Sequence, residues 1–478
     1  MRTLIALLLC MIATIAQAQL PPEIRRAFQT AGIPLDRVAI AVQEVKAPRP
    51  LFAHGADRAM NPASVMKLVT TFVALELLGP DYRWHTDAYL DGRLEGGVLH
   101  GDLVLKGRGD PKITIEQWQA FMMRLRASGL DAIQGDLVVD RSAFDLPPYD
   151  AGAFDAEPLR PYNVGPDALL VNFKSARVTV TPDVATGHAL ARIDPPLSSV
   201  RMAGPALLDH RPCGDWRTAL RVDDDGRSAL MSFVPAYPVA CGERDWWVAL
   251  LDPPHYAYEM FTAYFRAAGG RFDGGLAERR APPEAKSFAV LESPPLYDVV
   301  RDVNKFSNNV MARQLFLTLA LEAAPPPATP AKAADVVRRF FTLRKISVPK
   351  LTMENGSGLS RNERITAGGL VNLLIAADRS AVRDDFATSL AVAALDGTVE
   401  RRFQDDAVAG HALLKTGTLE GVRSVAGYVL DDAGHRFALA AIVNHPNAAR
   451  SGPALDYLVQ WVHRNGATWS AATAHAVR

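Results

Sequence analysis

The stretch Asn61-Pro62-Ala63-Ser64-Val65-Met66-Lys67, running into a mostly apolar segment from Leu68 to Leu78, constrains this chain more than any other. A helix with Leu68, Val69, Phe72, Val73, Leu75, Leu77 and Leu78 around nearly its whole circumference belongs inside a domain, with other layers packed on it. Pro62 is tolerated in a first turn and nowhere deeper, so the helix is expected to start just ahead of Ser64, at the positive end of its dipole. Ser64 and Lys67 then lie one turn apart on one face. Burial disfavours an ammonium, which makes Lys67 a usable base beside a hydroxyl nucleophile.

A lone Ser-x-x-Lys carries little weight. Ser347-Val348-Pro349-Lys350 has the same spacing, but its proline would break a helix and no buried helix follows. Two further motifs support Ser64. Lys415-Thr416-Gly417 closes an expected strand from Ala412 to Gly417, and Ser307-Asn308-Asn309 opens an expected helix from about Asn308 to Glu322. Ser360-Arg361-Asn362 fits the short serine-x-asparagine pattern equally well, so the order of the motifs decides. Serine-x-x-lysine, then serine-x-asparagine, then a late lysine-threonine-glycine is the order found in penicillin-binding proteins and class A β-lactamases.

At 478 residues the chain exceeds a single core, and more than one domain is expected. Lys+Arg and Asp+Glu balance at 52 each, which leaves no electrostatic footprint for nucleic acid. Arg2, an apolar run from Leu4 to Ala16, and Ala16-Gln17-Ala18 fit an export signal over residues 1–18, with a mature start expected at Gln19. Cys10 falls in that signal. Cys213 and Cys241 remain, and in an exported protein an even pair is most simply a disulfide. No His-Glu-x-x-His or other metal spacing occurs among the 11 histidines, so neither metal nor cofactor is expected.

Along the chain, Val38 to Val45 and Pro50-Leu51-Phe52 form a hairpin, and helices are expected at Ile115 to Ala127, Tyr256 to Ala268, Ala331 to Lys345, Thr366 to Ala377 and Phe386 to Leu395. Residues Pro147 to Asp252, rich in Pro, Gly and Asp, have the texture of a small all-β module stapled by one bridge. Strands Val425 to Leu430 and Phe437 to Asn444 pair across a turn at Asp431 to Gly434 before a last helix from Pro453 to Arg464.

The three motifs resemble most closely those of the D-alanyl-D-alanine carboxypeptidase/endopeptidase family, the low-molecular-mass class C penicillin-binding proteins. Gly107-Arg108-Gly109-Asp110-Pro111, Gly356-Ser357-Gly358-Leu359-Ser360-Arg361, Leu395-Asp396-Gly397-Thr398 and His411 through Thr418 resemble that family too. The resemblance implies an α+β penicillin-recognising fold, an antiparallel sheet with helices on both faces. It also implies that the long interval between Ser64 and Ser307 holds two inserted domains. The expected division is a catalytic domain at 19–83 and 292–478, an inserted α/β domain at 84–165 and 252–291, and a nested β domain at 166–251. Implied roles are nucleophile for Ser64, base for Lys67, proton relay for Ser307, and positioning of Lys67 for Asn309. Lys415 and Thr416 take the substrate carboxylate, Gly417 lets substrate lie along the strand, and the N–H groups of Ser64 and Thr418 form an oxyanion hole. By the same resemblance, Asp155 is a candidate for the amino end of the peptide stem and Arg361 for a substrate contact. A surface-loop aspartate and a structural salt bridge are the competing readings of those two. Asn308 fills the variable middle of its motif.

The implied substrates are peptidoglycan peptides, with β-lactams as inhibitors and the periplasm as the place of work. A β-lactamase or D-amino-acid esterase with the same triad, and a non-catalytic peptidoglycan-binding scaffold, are the alternatives. No Glu-x-x-x-Asn-type deacylating loop speaks for the first, and an intact set of motifs speaks against the second. Homodimerisation and peripheral membrane contact are both compatible with the sequence.

Overall fold

The computed structural model describes residues 20–204 and 206–475; the expected export signal, Cys10 included, lies outside them. Six antiparallel strands form the central sheet, in the spatial order Ala391–Val392, Ala412–Leu419, Val422–Leu430, Arg436–Asn444, Val38–Glu44 and Phe52–His54. The two middle strands are apolar between residues 425 and 429 and between residues 437 and 443 because both faces of the sheet are covered. Val38, Ile40, Val42, Phe437, Leu439 and Val443 point to one side, where the helices Pro22–Thr30 and Gly452–His475 pack. Ala39, Ala41, Ala438 and Ala440 point to the other, where Lys67–Leu78, Asn309–Ala323 and Ala367–Asp378 pack. With both faces apolar, hydrophobicity alone would not fix the register; alanines predominate on the second side, with Tyr428 and Ile442, and larger residues on the first. Every residue of the nucleophile helix from Lys67 to Leu75 is buried there.

The chain leaves this unit after Arg83 and comes back at Glu292, and the outgoing and returning strands pair with each other, Glu292 opposite His85. Between them lie a seven-stranded mixed sheet, built from residues 85–140 and 271–292, and two smaller sheets within residues 175–249. The helix Ile115–Ala127 begins with a reciprocal cap between Thr114 and Gln117, as the residue types favour. Cys213 and Cys241 are bonded to each other. The β-rich part does not keep a core of its own: Val178, Met231 and Tyr237 share one apolar cluster with Leu103, Phe121 and Phe261 of the α/β part.

One expected helix is mostly absent. Residues 386–395 give only the end of a short helix, Arg383–Thr388, after which Ala391–Val392 pairs as an edge strand with Leu413 and Leu414. Periodicity does not separate helix from strand in a short apolar run, and the pairing available beside residues 412–419 wins.

Candidate active site

Ser64 sits in a 3-10 turn, Ala63–Met66, and the α-helix proper begins at Lys67, a few residues later than the expected start just ahead of Ser64. In a 3-10 turn, positions three apart eclipse, which brings Ser64 directly in line with Lys67. The turn is tightly held. Ala63 adopts φ +49°, a left-handed conformation that a residue with a Cβ rarely takes. Asn61 accepts from the Ala63 N–H at 2.9 Å and donates to the Ser360 carbonyl at 2.8 Å, and the Ser424 hydroxyl donates to the Pro62 carbonyl at 2.6 Å. Gly358 and Gly417 close in from both sides: an added Cβ would lie 1.9 Å from the Ala63 carbonyl oxygen in the first case and 2.6 Å from the Pro62 carbonyl oxygen in the second. Ser64 alone among residues 60–75 is not fully buried.

The Lys67 amine is fully buried, 3.0 Å from Ser64 Oγ, 2.7 Å from Asn309 Oδ1 and 2.5 Å from the Ser357 carbonyl oxygen. Asn309 and Ser357 can only accept from it. A neutral amine has two N–H groups and one lone pair, so satisfying both acceptors leaves the lone pair facing the serine hydroxyl. Lys67 forms no salt bridge among the described residues. Burial first, then the charges of Lys415 and Arg313, push its pKa well below the usual lysine range; Glu363 opposes them.

Ser307, at φ +58°, turns the chain into the second-motif helix. Asn308, treated as variable in the sequence, is the residue that caps this helix, accepting from the Met311 N–H at 3.0 Å. That frees Ser307 and Asn309 for the cleft. The Lys415 amine, also buried, donates to Ser307 Oγ and to the Thr416 carbonyl oxygen, each at 2.8 Å, and burial lowers its pKa to about 7. The structure thus joins Ser307 to Lys415 and Asn309 to Lys67. Thr416 Oγ1 donates to Thr398 Oγ1 at 2.9 Å, which brings the Leu395-Asp396-Gly397-Thr398 segment to the same rim. The edge strand Ala391–Val392 pairs only with Leu413 and Leu414, so the edge of Lys415 to Thr418 is left unpaired among the described residues.

Asp155 and Arg361 flank the other side. Arg361 lies 4.5 Å from the centre of the Phe154 ring and 3.6 Å from the Glu420 carboxylate. Asp155 accepts from the Tyr162 hydroxyl and from Asn163, both at 2.8 Å, while the Tyr162 carbonyl accepts from Asn309 Nδ2 at 3.4 Å. The inserted segment therefore touches the site directly.

Sequence reasoning missed three contributors. Buried Glu363 accepts from the N–H groups of Glu354, Asn355 and Gly356, at 3.0 Å each, and so shapes the loop whose Ser357 carbonyl meets Lys67. Arg313, one turn beyond Asn309, donates to the Val164 carbonyl at 2.7 Å and ties the helix to the inserted segment. Thr398, quoted in the resembling stretch Leu395-Asp396-Gly397-Thr398 but given no role there, is the third. None announces its role through its local sequence. No cluster of metal-ligating side chains occurs among the described residues, and no helix among them is long and apolar enough to cross a membrane.

Among curated relatives, D-alanyl-D-alanine carboxypeptidase DacB of Haemophilus influenzae is 23% identical over 388 residues, covering 80% of each chain. A D-alanyl-D-alanine carboxypeptidase of Actinomadura is 26% identical over 427 residues, 87% of this chain and 78% of that one. Among solved structures, penicillin binding protein 4 from H. influenzae matches with a TM-score of 0.77 at 20% identity, covering 93% of this chain and 98% of that one. A predatory peptidoglycan endopeptidase of Bdellovibrio bacteriovorus matches with a TM-score of 0.51 at 16% identity, covering 89% and 90%. These two likenesses establish the penicillin-recognising serine hydrolase fold. The D-Ala-D-Ala carboxypeptidase 3 (S13) family matches residues 22–464, nearly the whole sequence, and the chain belongs to that family.

Proposed function

We propose that this chain hydrolyses D-alanyl-D-alanine peptide bonds of peptidoglycan stem peptides through an acyl-enzyme on Ser64, with endopeptidase action on cross-links, and that β-lactams acylate the same serine. One observation carries the reading: a buried lysine amine, in no ion pair among the described residues, stands 3.0 Å from the hydroxyl of a partly exposed serine. Lys67 takes the Ser64 proton as Oγ bonds to the carbonyl carbon, and the N–H groups of Ser64 and Thr418 receive the developing oxyanion, each worth about 3 kcal/mol. The C–N bond then breaks as Ser307, held by Lys415, passes a proton to the leaving amine and is restored by the proton that Lys67 took from Ser64. Lys67, neutral again, takes a proton from the water that attacks the ester and returns it to Ser64 Oγ as the acid leaves.

Binding follows from the same layout. The unpaired edge at Lys415 to Thr418 supports substrate lying as an added strand, with Gly417 giving room and Lys415 with Thr416 holding the terminal carboxylate. Asp155 and Arg361, beside the acyl half, are assigned to the amino end of the stem and to the substrate backbone. The expected export signal and the proposed substrate support a periplasmic location. The test is release of D-alanine from a pentapeptide ending in D-Ala-D-Ala. Wild type releases it and Ser64→Ala does not; equal release by both would refute the assignment.

A further inference from the structure

Phe306 and Leu395 are two-thirds exposed, at 68% and 65%, among the most exposed large apolar side chains of the described residues. They stand on adjoining loops. Their sequence neighbours Lys305 and Asp396 form an ion pair at 2.5 Å, and a Cβ on Gly397 would lie 2.7 Å from the Lys305 carbonyl oxygen. Both loops also reach the catalytic groups: Ser307 follows Phe306, and Thr398, three residues past Leu395, is bonded to Thr416. Apolar area held in water at the lip of a cleft is area a ligand can cover.

The two halves of the site differ in character. Asn309 turns toward the inserted segment through the Tyr162 carbonyl, on the acyl side. Ser307 turns toward Lys415, on the side where the leaving amine collects its proton. What is attached to that amine therefore lies on the flank of Ser307. A terminal D-alanine ends there, with a methyl and a carboxylate, and does not extend past Thr416. The amine of a cross-link is carried on the aliphatic side chain of a second peptide stem, which continues outward. We infer that Phe306 and Leu395 form an apolar ledge for that aliphatic chain and set how well the enzyme cleaves cross-links relative to chain ends. The inference rests on the function proposed above.

The experiment measures kcat/KM of the purified protein on a cross-linked stem-peptide dimer and on a pentapeptide ending in D-Ala-D-Ala, for wild type, Phe306→Ala, Leu395→Ala and the double variant. The ratio of dimer to pentapeptide should fall about 10-fold for each single change and further for the double, by less than the product of the two because the loops adjoin, with Phe306→Tyr and Leu395→Ile holding it near the wild-type value. Adduct formation with benzylpenicillin reports an intact site in each variant. Should Phe306→Ala form none, Leu395→Ala carries the test alone. An unchanged ratio overturns the ledge. So does a wild type that trims the pentapeptide and leaves the dimer whole, which spares the carboxypeptidase reading; a wild type inert to the pentapeptide and to penicillin overturns that reading itself.

Discussion

Gly358→Ala should disable the nucleophile without touching it. The residue stands at φ +81°, and the new Cβ would meet the Ala63 carbonyl oxygen at 1.9 Å and the Ser64 nitrogen at 2.8 Å. Backbone cannot yield as a flexible side chain can, and Ala63 is already in the left-handed region, so the turn carrying Ser64 has to move. Two costs separate cleanly. The left-handed conformation alone costs an alanine about 1–2 kcal/mol. Displacing a nucleophile by about 1 Å costs roughly 100-fold in rate. Gly32→Ala is the control: φ is +70°, with nothing within 4 Å of the added Cβ. It should lose about 1–2 kcal/mol of stability, a melting shift of a few degrees, and acylate normally. Gly358→Ala should melt lower still and acylate with benzylpenicillin at least about 100-fold more slowly. Acylation within about three-fold of wild type would refute the claim that the turn is pinned between Gly358 and Gly417.

Other expectations concern charge and the disulfide. Asn309→Asp puts a carboxylate on the Lys67 amine, favours its charged form and should move the acid limb of kcat/KM to higher pH. Glu363→Gln removes a charge that raises the Lys67 pKa, so the same limb should move to lower pH. Lys415, with its pKa near 7 in the empty site, loses its charge as pH rises, so kcat/KM on a substrate with a terminal carboxylate should fall above about pH 7; Lys415→Arg should lose that alkaline limb while lowering the maximum. The same lysine gives a stability slope. Below pH 7 it is protonated folded and unfolded alike, whereas between about 7 and 10.5 only the unfolded chain keeps the proton, so stability rises with pH there; Lys67, whose pKa is lowered too, adds to the slope, and Lys415→Met should make it shallower without abolishing it. Replacing Cys213 and Cys241 by serine opens a link across 28 residues and should cost about 3–4 kcal/mol, read by calorimetry, with penicillin acylation retained.

The nucleophile helix was legible because its apolar residues run all the way round, a pattern that only a buried central helix tolerates. The late strands were legible for a similar reason, yet alanines predominate on one side and larger residues on the other, a distinction that hydropathy does not make. The three motifs were found because their order is informative where each alone is not. What stayed hidden works through backbone atoms: Ser357 contributes a carbonyl and Glu363 binds three N–H groups, and neither contact has a residue-type signature. Asn308 was passed over because a cap is recognised by where the helix starts, which the sequence locates only to within a few residues. The edge strand Ala391–Val392 is a tertiary effect, decided by an available partner and not by local preference.

The central claim is that Ser64 forms a covalent acyl-enzyme with Lys67 as its base. Intact-protein mass spectrometry after brief exposure to benzylpenicillin, beside Ser64→Ala, tests it most directly. A long-lived penicilloyl adduct is expected on wild type and none on the variant. An unmodified wild type with the drug left intact, or an equal adduct on Ser64→Ala, would contradict it.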